Sequence, residues 1–152
     1  MHDVTVRSAR SSDVARIVEL LSLGGLVAGR EDPTDLAPYG EALAEIAAGD
    51  GAVLVAEVDG AVVGVCQVIV FRHLQQRGGR CAEIESVHVH PDHRSQGIGG
   101  VLLEAAVDEA RRAGCYRIQL TSNVRRPDAH RFYGRHGFAA SHVGFKRLLD
   151  PG

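Results

Sequence analysis

Hydrophobic residues along the chain alternate, run together or recur at helical spacing in a definite succession. "VTVR" (residues 4–7) reads as a short first strand. Val14, Ile17, Val18 and Leu21 then fall at i, i+3, i+4 and i+7, which predicts an amphipathic helix capped by Ser11 or Ser12 and ended by Gly24 and Gly25. A second helix is expected within "TDLAPYGEALAEIAAG", with Leu43, Ile46 and Ala47 on one side and Gly49 as its terminator; residues 24–35 between the two form a loop. "AVLVAEV", Asp59-Gly60 and "AVVGVCQVIVF" make the clearest hairpin, because Asp-Gly supplies the positive φ of a tight type I′ turn. "LQQRGGR" interrupts the pattern and "CAEIESVHV" starts another strand. A long helix follows as far as Ala113, with Ile98, Leu102, Ala105, Ala106, Ala110 and Ala113 on one side. After it come the strand "YRIQLT", a short helix around "DAHRFYGRH" and a last strand within "FAASHVGFKRLL".

Hairpin strands are antiparallel, whereas strand–helix–strand units favour parallel neighbours. The order therefore predicts an α/β fold with a mixed, mostly antiparallel central sheet flanked by helices. With 152 residues and no repeat or low-complexity linker, one domain over residues 1–152 is expected.

Charge narrows the partners. Seventeen basic residues against 19 acidic ones give a net charge of −2, so no field exists to hold a nucleic acid or an anionic membrane. The first residues lack an apolar signal core and no run reaches membrane-span length, so a cytoplasmic protein is expected. Cys66, Cys81 and Cys115 are odd in number, sit in or beside apolar segments and lack metal-ligand spacing, which fits buried reduced thiols.

The candidate chemistry begins at "HPDHRSQGIGGVLLEAAV", where Gly97, Gly99 and Gly100 open directly onto the long helix. Glycine costs a helix roughly 0.5 to 1 kcal/mol relative to alanine, so the cluster implies a task for the backbone. Unpaired N–H groups and the positive end of the macrodipole make a helix start an anion site, and glycine keeps Cβ atoms out of the way. Arg94 and Gln96 add side-chain donors, so a diphosphate is the expected ligand. A dinucleotide fingerprint would need a third glycine where Leu102 stands, and a Walker loop would need Gly-Lys-Ser/Thr.

Arg94-Ser-Gln-Gly97-Ile-Gly99, placed between "IESVHV" and a helix, resembles the R/Q-x-x-G-x-G/A motif of the GNAT N-acetyltransferase superfamily. "LTSNVRRPDAHRFYGRHGF" resembles that family's second signature, an asparagine after a strand followed by a helix with Phe-Tyr and a Gly-Phe turn. Within the superfamily the chain looks like the small-amine branch of glucosamine-phosphate and aminoalkylphosphonate acetyltransferases.

The resemblance implies that acetyl-coenzyme A (acetyl-CoA) is the cosubstrate. Its pyrophosphate would lie on the loop Arg94, Ser95, Gln96, Gly97, Ile98, Gly99 and Gly100, and its pantetheine arm along the backbone of Val87, His88 and Val89. Asn123 would add a side-chain amide near that arm, and Phe132 would pack on it. Tyr133 matches the tyrosine that in many relatives protonates the departing thiolate. The attacking amine must lose a proton, for which Glu85 and Glu83 are the candidate bases; strand alternation expects both on one face with Val87 and Val89. Either carboxylate could instead pair with Arg72 or Arg80, and deprotonation through water remains an alternative.

His88, His90 and His93 lie close in sequence, but no standard zinc set is completed nearby, so no metal is expected. The acceptor side is expected between the first two helices, at "RHLQQRGGR" and near "SHVGF", with Arg30, Arg72, Arg77, Arg80 and Arg125 as candidates for an anionic group. Acetylation of a small primary amine by direct transfer is the expected activity. Protein lysine or N-terminal acetylation and a non-catalytic acetyl-CoA or amine sensor are the alternatives. Apolar surface on the last strand would suit a homodimer.

Overall fold

The computed structural model describes residues 3–150 and divides into two compact units, Met1–Leu120 and Thr121–Gly152. The first holds five strands in the order β1-β2-β3-β4-β5: β1 (Val4–Ser8), β2 (Ala52–Val58), β3 (Ala61–Arg72), β4 (Arg80–Val89) and β5 (Cys115–Leu120). The pairings β1–β2, β2–β3 and β3–β4 are antiparallel. β4 and β5, joined through helix α4 (Ile98–Arg112), are parallel, as a helical crossover requires. At the β2–β3 hairpin Asp59 and Gly60 have φ of 51° and 79°, the expected primed turn. β3 and β4 are linked by the single turn α3 (Gln75–Gly78), where Gln76 and Arg77 take left-handed φ of 51° and 59°.

The two faces of the sheet carry different helices. α4 buries Ile98, Leu102, Leu103, Ala106 and Ala110; Leu102 packs so close to Gly64 that a Cβ there would meet Leu102 Cδ1 at 2.8 Å. On the opposite face lies α1 (Val14–Gly24), whose buried Leu20 joins Val55, Val62 and Val65 in one cluster, with Ile17 and Val53 packed against it. Leu20, not the predicted Leu21, is the fully buried leucine of α1. Neither Ser11 nor Ser12 caps the helix. They form a 3-10 turn with Asp13, whose carboxylate accepts the Arg10 N–H at 2.7 Å and two guanidinium bonds from Arg7 at 2.7 and 3.0 Å. Asp13 supplies two acceptor oxygens, so it satisfies the turn and the arginine together, which one serine hydroxyl cannot.

α2 (Ala37–Ala48) ends at Gly49 as expected, with Leu43 and Ile46 half-buried and Ala47 exposed. Cys66 and Cys81 are buried and Cys115 is partly so; burial pushes the Cys66 thiol up to about 12. Among the described residues no helix is long and apolar enough to cross a membrane.

The second unit contains α5 (Pro127–Arg135) and a C-terminal segment. The strand expected within residues 138–149 does not form. A strand needs a partner to supply its ladder, and among the described residues this segment has none, leaving Val143, Phe145, Leu148 and Leu149 exposed.

Candidate active site

The centre of the first unit is β4, where a bulge decides which side chains meet. Ser86 has φ of 57°, and the β3–β4 register shifts there: Gln67 pairs with Glu85 but Val65 pairs with His88. An inserted residue reverses the alternation beyond it. Residues directly opposite across a ladder share a face, so Glu83, Glu85 and His88 lie with Ile69, Gln67 and Val65, on the face that α1 covers. The expectation that Val87 and Val89 share the glutamates' face is therefore overturned; Val89, opposite Gly64, lies on the α4 face.

Both glutamates are half-buried. Gln119 Nε2 donates to Glu83 Oε2 at 3.3 Å. The arginines that might have claimed the carboxylates are engaged elsewhere: Arg72 Nε donates to the Gly78 carbonyl at 2.9 Å, and Arg80 pairs with Asp50 at 3.2 Å. The ladder to β5 stops at Ile84–Leu120, so from Glu85 to Val89 strand β4 has ladder partners on the β3 side only. The backbone of Val87, His88 and Val89 thus forms a sheet edge able to take an extended amide-bearing arm.

Immediately beyond, a 3-10 turn at Pro91–His93 leads into the glycine loop. Ser95 and Gly97 take left-handed φ of 62° and 81°, and Gly97 is the N-cap of α4. The first helical bond closes from Val101 N–H to the Gly97 carbonyl at 3.2 Å, so the N–H groups of Ile98, Gly99 and Gly100 have no acceptor within the helix. Among the described residues beyond its own chain neighbours, no heavy atom lies within 4 Å of where a Cβ at Gly97 would stand. A diphosphate fits this donor set and this open cradle. Arg94 and Gln96 brace the loop: Arg94 Nε donates to the Val89 carbonyl at 3.3 Å and Gln96 Nε2 to the Asp92 carbonyl at 3.4 Å. His90 Nδ1 accepts from Asp92 N–H at 3.2 Å, with the His93 ring against it at 6.0 Å between centroids. Among the described residues no three His, Cys, Asp or Glu side chains gather as metal ligands do.

A cavity of about 230 Å³ opens at the end of α1, lined by Leu21, Ser22, Gly25, Leu26, Val27 and Arg30 among others. Its wall is a built loop: Tyr39 donates its hydroxyl to Glu31 at 2.8 Å and accepts the Asp32 N–H at 2.9 Å, while Asp32 Oδ1 takes both the N–H and the hydroxyl of Thr34. The sequence placed this loop but not the Tyr39–Glu31 tie, since a pair eight residues apart across a loop and a helix start has no periodic signal. Of the candidate arginines Arg30 lines the cavity, while Arg77 sits in the strained turn α3.

In the second unit Asn123 Oδ1 accepts the Arg125 N–H at 2.9 Å, and the Asn123 carbonyl accepts from Arg126 N–H at 3.0 Å, which turns the chain into α5. Phe132 and Tyr133 meet edge-on at 5.2 Å, with Phe138 beside Tyr133 at 6.1 Å and His136 beside Phe132 at 4.7 Å.

Comparison with known proteins agrees with this geometry. The model of the acetyltransferase (GNAT) family matches residues 19–138. An aminoalkylphosphonate N-acetyltransferase of Salmonella typhimurium is 41% identical over 91 residues, 60% of this chain and 58% of that one, so the match spans less than two thirds of the relative's length. Among solved structures, a transcriptional regulator from Bacillus halodurans C-125 superposes with a TM-score of 0.90 at 37% identity, covering 97% of this chain and 100% of that one. An aminoglycoside N-acetyltransferase in complex with CoA shares the fold, with a TM-score of 0.80 at 17% identity over 99% of this chain and 97% of that one. The β4 edge and the glycine-lined helix start both lie within the stretch matched by the family model, which spans more than half of the chain: the chain belongs to the acetyltransferase (GNAT) family.

Proposed function

We propose that this protein is an N-acetyltransferase that moves the acetyl group of acetyl-CoA directly to a primary amine of a small molecule within one ternary complex. The observation that carries the reading is the continuity of β4. One strand bears two half-buried carboxylates, then a bulge and an edge without a β5 partner, and runs into unclaimed N–H donors at the head of α4.

Bound acetyl-CoA supplies an acetyl thioester. In this reading the N–H groups of Ile98, Gly99 and Gly100 hold its pyrophosphate, with Arg94, Ser95, Gln96 and Gly97 shaping the loop. Backbone groups of Val87, His88 and Val89 hold the pantetheine arm. Glu85 takes the proton from the incoming ammonium, since a protonated amine has no lone pair to offer. Glu83, whose carboxylate already receives Gln119, is the second candidate. Tyr133, which matches the tyrosine of the family's second signature, is the candidate proton donor for the leaving sulfur. The cavity beside α1 takes the acceptor, and its 230 Å³ suits a small amine.

The Salmonella relative's name makes aminoalkylphosphonates the first acceptors to try, with Arg30 as the cavity's cation for an anionic group. Release of free CoA thiol should be measured across aminoalkylphosphonates, amino sugar phosphates, amino acids, aminoglycosides and N-terminal peptides. Turnover confined to small amines supports the reading. Turnover of peptides alone, or acetyl-CoA binding without turnover of any amine, contradicts it and favours a protein acetyltransferase or a sensor.

A further inference from the structure

The row of residues in register across the sheet, Arg7–Val55–Val65–His88, runs from β1 to β4 on the face covered by α1. Three strand spacings amount to about 14 Å, and the eleven residues of α1 span about 16 Å. The helix is held at both ends of that row. At its start Asp13 grips Arg7. At its end Gly24 rests on His88: a Cβ built on Gly24 would stand 2.6 Å from His88 Cε1 and 2.8 Å from Cγ, with Nδ1 nearer still. Only a residue without a side chain lets the helix end settle on that ring. Leu21, Ser22 and Gly25, on either side of Gly24, line the cavity. Glu85 shares the strand and the face of His88.

We infer that the His88 side chain is a positioning residue for the acceptor: its imidazole is the seat that fixes the α1 end, and so the cavity wall, against the strand carrying Glu85. The inference rests on the acetyl-transfer reading for its kinetic consequence and on the Gly24–His88 packing alone for its structural one. The side chain thereby has a part separate from the backbone of the same residue, which is proposed to meet the pantetheine arm.

The test compares His88→Ala, Gly24→Ala and the double variant with the wild type, using aminomethylphosphonate and acetyl-CoA. Either single change is expected to raise KM for the amine about tenfold while KM for acetyl-CoA moves less than about twofold. In the double variant the new methyl occupies space vacated by the ring, so its KM for the amine should fall below that of Gly24→Ala. Hydrogen exchange of the ligand-free protein reads the seat independently: His88→Ala should speed exchange in residues 21–33 and leave β2 and β3 protected. Unchanged exchange in 21–33, parallel rises in both KM values, or additive penalties in the double variant would overturn the inference. Faster exchange in His88→Ala together with a wild type that acetylates no amine would overturn the acceptor reading and its kinetic consequence while upholding the seat.

Discussion

Asp13 shows how much one side chain can organise. Its carboxylate joins Arg7 on β1, the Arg10 backbone and, through Arg7, Glu57 on β2 at 2.9 Å, so it fastens the first helix to two strands. The hydrogen bonds from Arg7 are the largest influence on it and hold its carboxyl below the ordinary value of 3.8, outweighing burial, which pushes the other way. A depressed carboxyl stabilises the fold above the unfolded-state value, and that contribution drains away as pH falls through the folded one. Asp13→Asn should therefore cost about 2 kcal/mol at neutral pH and show a shallower loss of melting temperature below about pH 4 than the wild type. Parallel acid limbs in the two proteins would contradict the assignment. The sequence marked residues 11–13 as a helix start but credited the serines; that Asp13 does the work depends on Arg7 arriving from another element, which no local pattern announces.

At the scale of elements, the long helix and the hairpin were legible, because their signals are local: apolar spacing over four turns and an Asp-Gly dipeptide. The bulge in β4 was not. A regular strand would put Glu83, Glu85, Val87 and Val89 on one face; the inserted residue shows in the register with β3, in the left-handed φ of Ser86 and in the two polar residues in a row at Glu85-Ser86, after which the apolar positions change phase. Its consequence is to bring His88 to the glutamates' face. The last strand does not form because residues 138–149 find no partner edge among the described residues. The two carboxylates can be separated experimentally. Glu85→Gln should lower kcat/KM about a hundredfold or more at neutral pH, the usual cost of removing a general base, while Glu83→Gln, which can still accept from Gln119, should lose less than about tenfold. Equal losses, or none, would move the proton to water or to another group.

For the molecule as a whole, the family was readable in the sequence because its glycine motif is contiguous: seven residues from Arg94 to Gly100 carry it. The acceptor side proposed here draws on the α1 end, the loop to α2 and the middle of β4, which meet only once the sheet is paired. Gly97 offers the most direct test of the central claim. Among the described residues nothing beyond the chain neighbours would meet an added Cβ there, so alanine brings the left-handed strain, about 1 kcal/mol, and a methyl group in the space assigned to the pyrophosphate. The measurement is calorimetric titration of acetyl-CoA into the wild type and Gly97→Ala. We predict one molecule bound per wild-type chain and affinity at least tenfold weaker, roughly 1.4 kcal/mol or more, in a variant that remains folded. No binding by the wild type, or equal affinity in the two proteins, would contradict the assignment of this loop to acetyl-CoA.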